Sequence, residues 1–573
     1  MKYIKRRKFI TVIVFIIVSF TVIETKSQNE VCKEEIKIEM PDGVYLTADL
    51  FTPTIIQKLP VILVRTPYGK HQHARYGEFW ARNGYVAIVQ NTRGKWGSEG
   101  EFSPFIDELT DGLATLDWIQ NQEWCNGDIG MFGSSYLTYA AMVVASKGHP
   151  ALKSIYANSG WLTGERIMNP GGAFHLQLSL PWMLHEYNQK YRSLENYDLE
   201  ELFEFLPVSS VFDSLELKAE FWEDHIEGDV SLLDTLSYKN INIPIFHVTG
   251  WYDFVHDASL DIYRETKNNG SLNKLIVGPW FHGQEESTFT EVGDENFGPE
   301  SIFGGDSIKK LSLLWFDHTL KGIENEIVNL PNAKVFVMGE NQWKSYNQFP
   351  PANIQPEKWY ITSNKGANSL NGDGLLTTEL HKKTVVDTFT FNPYNPVPTY
   401  GGANFHFMLH TIGIKDQRDI EKRNDVLVYT SDILETDVKI IGSMHVNLFV
   451  STEGKDTDFT AKLVEVRENG YARIIDEGIM QLAHRNSLIE RELVEPNEIY
   501  EITIELGRTG ISIKKGRKLR LEISSSNFPK YIRNANTGED PYDARELMPV
   551  KQAIYCGKKY PSHIILPIIK EIN

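Results

Sequence analysis

Cysteine is scarce in this 573-residue chain, which holds only Cys32, Cys125 and Cys556. An odd number, with spacing that fits no metal motif, implies no disulfide framework, and whether any two of them pair is left open. Positive charge is also short: 58 Lys and Arg stand against 76 Asp and Glu, a formal charge of −18. That balance disfavours nucleic acid and anionic membrane surfaces as partners. There is no Gly-rich phosphate loop and no dinucleotide fingerprint. No carboxylate pair of the glycosidase kind stands out. His71-Gln72-His73 puts two histidines on one side of an extended segment but brings no third metal ligand.

The length exceeds what one core supports, so two or three domains are expected. A hydrophobic share of 41% and an aromatic share of 12% are those of a globular protein. Lys2, Lys5, Arg6, Arg7 and Lys8 precede the uncharged, mostly β-branched residues 9–23, and Thr25 and Ser27 then offer a cleavage site. Residues 1–27 are therefore read as a signal peptide and the protein as exported, periplasmic or secreted. An uncleaved signal anchor is the alternative. After cleavage no stable membrane span is expected.

From residue 31 to about 325 the pattern is α/β. Val61-Ile62-Leu63-Val64 and Tyr85-Val86-Ala87-Ile88-Val89 are short, continuous apolar runs, as expected of parallel strands covered on both faces. Asp128-Ile129-Gly130-Met131-Phe132-Gly133-Ser134-Ser135-Tyr136 is an apolar run that ends in a small residue and a serine, then turns into an Ala-rich helical pattern. A strand, a sharp turn and a helix lift a serine hydroxyl above a sheet, which makes Ser135 the candidate nucleophile. Leu137 stands where the strict motif has its second glycine. Two later strands end in Gly250-Trp251-Tyr252-Asp253 and Gly278-Pro279-Trp280-Phe281-His282. Ser135, Asp253 and His282 thus each lie just beyond a strand, in the chain order of α/β-hydrolases, and neighbouring parallel strands would bring them to one sheet edge. His282 would take and return the hydroxyl proton, and Asp253 would fix its tautomer. A helix-capping Asp253 and a loop His282 are the plain alternatives. Lone His247, inside an apolar strand, reads as a hydrogen-bonded core residue.

Further ordered motifs are Arg65-Thr66-Pro67-Tyr68-Gly69-Lys70, Thr92-Arg93-Gly94, Trp124-Cys125-Asn126-Gly127 and Ser524-Ser525-Ser526-Asn527-Phe528-Pro529. With them the chain resembles the Xaa-Pro dipeptidyl-peptidase-like (CocE/NonD) hydrolases, the group that includes cocaine esterase, glutaryl-cephalosporin acylases and α-amino acid ester hydrolases. The resemblance implies that the nucleophile is Ser135, the acid Asp253 and the base His282. It implies an oxyanion hole of the Tyr68 hydroxyl and the Tyr136 backbone N–H, and no metal or organic cofactor. Two positions depart from the family pattern: Thr138 stands where glycine is usual and Asn91 where aspartate is usual. The α-amino ester hydrolases carry a Glu-Asp pair two and three residues after the acid, where this chain has Val255 and His256. That weighs against an amine anchor of their type.

Residues 160–240 read as a helical cap insertion, with Leu199, Leu202, Phe203 and Leu206 at helical spacing. By resemblance such a cap covers the acyl pocket; its tryptophans, Trp161, Trp182 and Trp222, could shape that pocket, but tryptophans on amphipathic helices are more often core residues and are read so here. Beyond residue 330 the period changes to two. Val446/Leu448/Val450, Tyr500/Ile502/Ile504/Leu506 and Leu519/Leu521/Ile523 alternate with polar residues, so 331–573 is read as an all-β sandwich, a jelly roll by resemblance. The expectation is a serine hydrolase that cleaves a small-molecule or peptide ester or amide through an acyl-enzyme. An Xaa-Pro dipeptidyl-peptidase and a non-catalytic glycan- or partner-binding protein are the alternatives, and the oligomeric state stays open.

Overall fold

The computed structural model describes residues 30–54, 57–163, 165–187, 194–217, 222, 236–405 and 412–570. The expected signal peptide lies outside the described residues, as does part of the cap. Among the described residues no helix is long and apolar enough to cross a membrane. All three cysteines are free thiols, Cys32 exposed and the other two buried.

The first domain is built on a ten-stranded mixed sheet. Its strands are β1 (Val31–Glu39), β2 (Tyr45–Pro53), β3 (Leu59–Thr66), β4 (Val86–Asn91), β5 (Cys125–Ser134), β6 (Leu152–Asn158), β7 (Ile245–Tyr252) and β8 (Asn273–Phe281). A two-residue ribbon, β9 (Glu291–Val292) and β10 (Glu295–Asn296), lies apart, and β11 (Ala333–Val337) and β12 (Gln342–Tyr346) complete the sheet. The spatial order is β1-β2-β4-β3-β5-β6-β7-β8-β11-β12. The stretch from β4 to β11 is parallel, and both ends are closed by antiparallel pairs. β3 and β4 are buried at every residue, as continuous apolar runs require when helices cover both faces. β11 and β12 lie past the domain boundary expected at 325–331. Strand pairing carries the first sheet on to Tyr346, because Ala333–Val337 adds in parallel to β8.

The helix Tyr136–Ala145 is buried along its whole length, consistent with a sequence apolar on all sides. The helix Gly304–Lys321 covers the sheet, its Trp315 indole donating to the Ile155 carbonyl at 3.0 Å, and it ends at Gly322, whose φ of 66° gives a left-handed cap. The cap contributes the helices Leu176–Tyr187 and Leu199–Glu204, with Leu202 and Phe203 buried. His247 is a core residue, hydrogen-bonded to Asn273 Oδ1 at 3.0 Å.

The second domain is one eleven-stranded all-β system. Its longest strand, Val438–Thr452, pairs antiparallel with Tyr500–Ile513, and the alternating positions Val446, Leu448, Val450, Ile502, Ile504 and Leu506 form its core. It is docked on the hydrolase domain. Arg508 donates to Asp257 and Asp261, Tyr252 Oη donates to the Ile474 carbonyl at 3.2 Å, and Tyr542 Oη donates to Asn169 of the cap at 2.8 Å.

Candidate active site

β5 ends at Ser134, and Ser135 is held at φ 59°, ψ −127° before the helix begins at Tyr136. Such a backbone costs a non-glycine residue on the order of 1–3 kcal/mol and persists only where neighbours impose it. Here they do. The Ser135 N–H donates to the Asn158 carbonyl at 2.9 Å, and Gly133 leaves the space the turn needs, since a Cβ there would lie 2.3 Å from the Thr138 nitrogen. Thr138, the departure from the family pattern, is fully buried and donates its hydroxyl to the same Asn158 carbonyl at 2.9 Å. Its methyl occupies room left by Gly160, where a Cβ would come within 2.0 Å of it. Asn91, the other departure, caps the loop after β3 by accepting from the Lys70 N–H at 2.7 Å and donating to Thr47 Oγ1 at 2.9 Å.

The edge where β5, β7 and β8 end brings the three expected residues together. His282 Nε2 lies 3.0 Å from Ser135 Oγ, and His282 Nδ1 lies 2.9 Å from Asp253 Oδ1. Asp253 is completely buried and accepts the Val255 N–H at 2.9 Å on the same oxygen. Burial would push its carboxyl up; the His282 charge and hydrogen bond, with help from Ser159 and the Val255 N–H, hold it below the usual range. Burial likewise pulls His282 down, but the Asp253 carboxylate, aided by Glu285 and Glu286, outweighs it and keeps the imidazole above its ordinary 6.5. Such an imidazole is basic enough to take the Ser135 proton and remains oriented by the acid behind it.

Tyr68 sits on the loop after β3, where its N–H donates to Thr66 Oγ1 at 3.1 Å, Gln72 Nε2 donates to its carbonyl at 2.7 Å and Trp96 Nε1 fixes the Pro67 carbonyl at 2.8 Å. Trp182 Nε1 donates to Tyr68 Oη at 3.3 Å. Indole N–H is a donor only, so the phenol's own hydrogen is free to point elsewhere. Burial, and next the Glu186 charge, hold the Tyr68 hydroxyl protonated far above neutral pH. Tyr136 opens its helix, so its N–H belongs to the first turn, which has no acceptor within the helix. Its side chain is tied down by a donated hydrogen bond from Tyr136 Oη to Glu108 Oε1 at 3.1 Å, while Glu108 pairs with Arg65 at 2.6 Å. Tyr68 and Tyr136 line the same cavity as Ser135.

A cavity of about 340 Å³ opens on Ser135 and His282. Its apolar walls are Phe105, Trp161, Leu178, Trp182, Phe254 and Phe405, with Ile167 and Met168, and Gln72, Ser179, His185 and Glu186 add polar groups to the lining. Trp161 and Trp182, read from the sequence as core, are wall residues; only Trp222 packs away from the site, against Phe174 and Phe212. Phe105 and Phe405 carry no sequence signal. Phe105 lies in a turn at φ 73° and stacks on Trp182 at 5.6 Å, and Phe405 reaches in from the second domain to within 5.9 Å of the His282 ring. Val255 and His256, where an amine anchor would stand, instead serve Asp253: His256 Nδ1 bonds the Asp253 carbonyl at 2.7 Å.

Comparison with known proteins gives the family and the fold. Residues 42–284 match the model of the X-Pro dipeptidyl-peptidase (S15 family), and residues 325–565 match the X-Pro dipeptidyl-peptidase C-terminal non-catalytic domain. The chain is 32% identical to the cocaine esterase of Rhodococcus sp. (strain MB1 Bresler), over 93% of its own length and 98% of the esterase. It is 23% identical to a putative serine esterase of Mycobacterium bovis, over 86% and 90% of the two chains. In fold it is similar to an α-amino acid ester hydrolase, with a TM-score of 0.79, 22% identity and coverage of 96% and 100%. The chain belongs to the X-Pro dipeptidyl-peptidase (S15) family of serine hydrolases, and carries that family's catalytic domain and C-terminal domain in order.

Proposed function

We propose that this hydrolase cleaves esters of compact apolar acids through an acyl-enzyme on Ser135. The carrying observation is the unbroken line of hydrogen bonds from Ser135 Oγ through His282 to Asp253 at the mouth of an aromatic cavity. Ser135 Oγ bonds to the substrate carbonyl carbon while its proton passes to His282 Nε2 and the carbonyl electron pair moves onto oxygen. The Tyr68 hydroxyl and the Tyr136 N–H receive that oxyanion. Collapse of the intermediate breaks the bond to the leaving group, which takes the proton from His282. Water, deprotonated by the same imidazole, then releases the acid and restores Ser135. The basic cluster and apolar residues 9–23 support export as the setting of this reaction, and N-terminal sequencing of the protein recovered outside the cytoplasm checks it.

One observation favours a dipeptidyl-peptidase as the second reading. A neighbouring polar cavity of about 480 Å³ shares Ile167 and Phe254 with the acyl pocket and is lined by the carboxylates Asp257, Asp476 and Glu477, the kind of group a free amine needs, with Asp257 held by Arg508 at 3.2 Å and Glu477 by Lys530 at 2.7 Å. Release of nitrophenol from short-chain nitrophenyl esters, and of nitroaniline from Ala-Pro-nitroanilide, separates the two. The ester alone should turn over, and Ser135→Ala should abolish it. Turnover of the anilide would replace the esterase reading, and a wild type inert to both substrates and to a fluorophosphonate would end it.

A further inference from the structure

Glu285 lies three residues beyond His282, in the short turn Gln284–Glu286, and is 2% exposed. The acyl-enzyme route gives this buried carboxylate no task. Its Oε1 accepts from Asn158 Nδ2 at 2.8 Å, and the same amide nitrogen reaches Ser134 Oγ at 3.2 Å. Asn158 ends β6, and its carbonyl receives both the Ser135 N–H and the Thr138 hydroxyl. One asparagine therefore grips the nucleophile turn with its main chain, while its side chain ties that turn to the loop that carries the base. The positive charge that favours the ionised form of Glu285 is that of His282, three residues before it in the chain. The remaining charged or titratable groups around it are Asp253, Tyr156 and Glu286, the last engaged by Arg75 at 2.9 Å and Tyr76 Oη at 3.4 Å.

We propose that Glu285 is a positioning residue of the catalytic centre: through Asn158 it locks the His282 loop onto the nucleophile turn, and its carboxylate gives the His282 imidazolium a second counter-charge beside Asp253. This rests on Ser135, Asp253 and His282 being the catalytic groups. Stabilising the imidazolium matters because it exists only while the Ser135 proton is in transit, so the charge acts on the transition state more than on substrate binding. The location also carries a cost. Burial, and next the Asp253 charge, push Glu285 up to about 7 from 4.5. A carboxyl raised in the folded state adds stability below its unfolded value and loses it as pH rises through the folded one. Above pH 7 the charge that serves catalysis therefore weakens the fold.

The test is the rate of inactivation by a fluorophosphonate across pH 5–9, for the full chain, Glu285→Gln and Glu285→Asp, with thermal unfolding at pH 5 and pH 9. Gln keeps the acceptor for Asn158 and removes the charge. Its plateau above pH 7, where Glu285 is charged, should fall by roughly tenfold, and its acid midpoint should fall by less than about 1 pH unit because Glu285 takes up its own proton over that range, while its Tm at pH 9 should exceed that of the wild type and the two should converge at pH 5. Asp keeps the charge at a shorter reach, so its midpoint should stay at the wild-type value while its plateau drops. A Gln variant with the wild-type midpoint and plateau overturns this inference alone, as does an Asp variant whose midpoint falls. A wild type that does not label overturns the catalytic reading beneath it as well.

Discussion

The proposed catalytic centre and the pocket beside it are built in opposite ways. Ser135, Asp253 and His282 each stand at the end of one strand in the parallel stretch of one mixed sheet, so that stretch's own regularity delivers all three to a common edge. The wall of the cavity has no such common source. Phe105 comes from a turn, Trp161 and Trp182 from the cap region, Phe254 from the turn after β7, and Phe405 from the second domain. Proton transfer requires donor and acceptor within about 3 Å, a demand that rigid strand ends can meet. An apolar wall requires only shape and hydrophobicity, which loops from several elements can supply and vary.

The sharpest way to break that contrast is to alter one group on each side of it. Ser135→Ala should lower kcat by about 10⁴-fold or more, leaving only the contribution of binding and the oxyanion donors. Since the Asp253 carboxylate holds His282 above its ordinary 6.5, kcat/KM of the wild type should fall on the acid side of a midpoint above that value, where the imidazole becomes charged and ceases to act as a base. A midpoint below 6.5 would mean that burial of the ring outweighs its counter-charge. Next in size is Tyr68→Phe, which removes one oxyanion donor and should raise the barrier by about 3 to 4 kcal/mol, seen in kcat with little change in KM. Loss confined to KM would make Tyr68 a wall residue and move it to the other side of the comparison.

What was legible in the sequence follows the same division. The nucleophile turn, Asp253 and His282 were readable because each follows an apolar run bounded by turn residues, a signal contained within about ten residues. Tyr68 and the Tyr136 N–H came only through the family resemblance. Trp161, Trp182 and Phe405 were misread or missed because lining a cavity is a property of the assembled cap and second domain, and a buried tryptophan gives the same local sequence pattern whether it faces a core or a ligand. The extension of the first sheet through β11 and β12 was missed for a related reason: Ala333–Val337 alternates little and could have joined either sheet. Glu285 gave no signal, since a carboxylate after a histidine in a loop is ordinarily solvated.

Phe405→Ala tests the wall directly. Removing a phenyl ring from an apolar pocket should cost about 2 kcal/mol of substrate binding, read as a KM raised roughly thirtyfold for esters of bulky acids and scarcely changed for acetate esters. An equal loss for both acids would indicate that the second domain holds His282 in place as well as shaping the pocket.

The smallest effect on rate is expected where the two designs meet, at Gly160. This residue follows β6 by two positions, and the methyl of Thr138 in the nucleophile helix fills the space beside it. Gly160→Ala would force a Cβ within 2.0 Å of Thr138 Cγ2, and overpacking of that kind costs on the order of 1–3 kcal/mol of stability. The Thr138→Gly change frees that space, but it also removes the hydroxyl bound to the Asn158 carbonyl and puts glycine inside a helix. Each single change should therefore lower Tm, while the pair Gly160→Ala with Thr138→Gly should lose less than the two losses added together, because the clash is present in only one of the three variants. Additive losses in unfolding measurements would mean that the turn relaxes around a larger residue. Sub-additive losses with kcat nearly constant would show that glycine at 138, usual in the family, and glycine at 160, present here, are two routes to the same close approach of helix and strand.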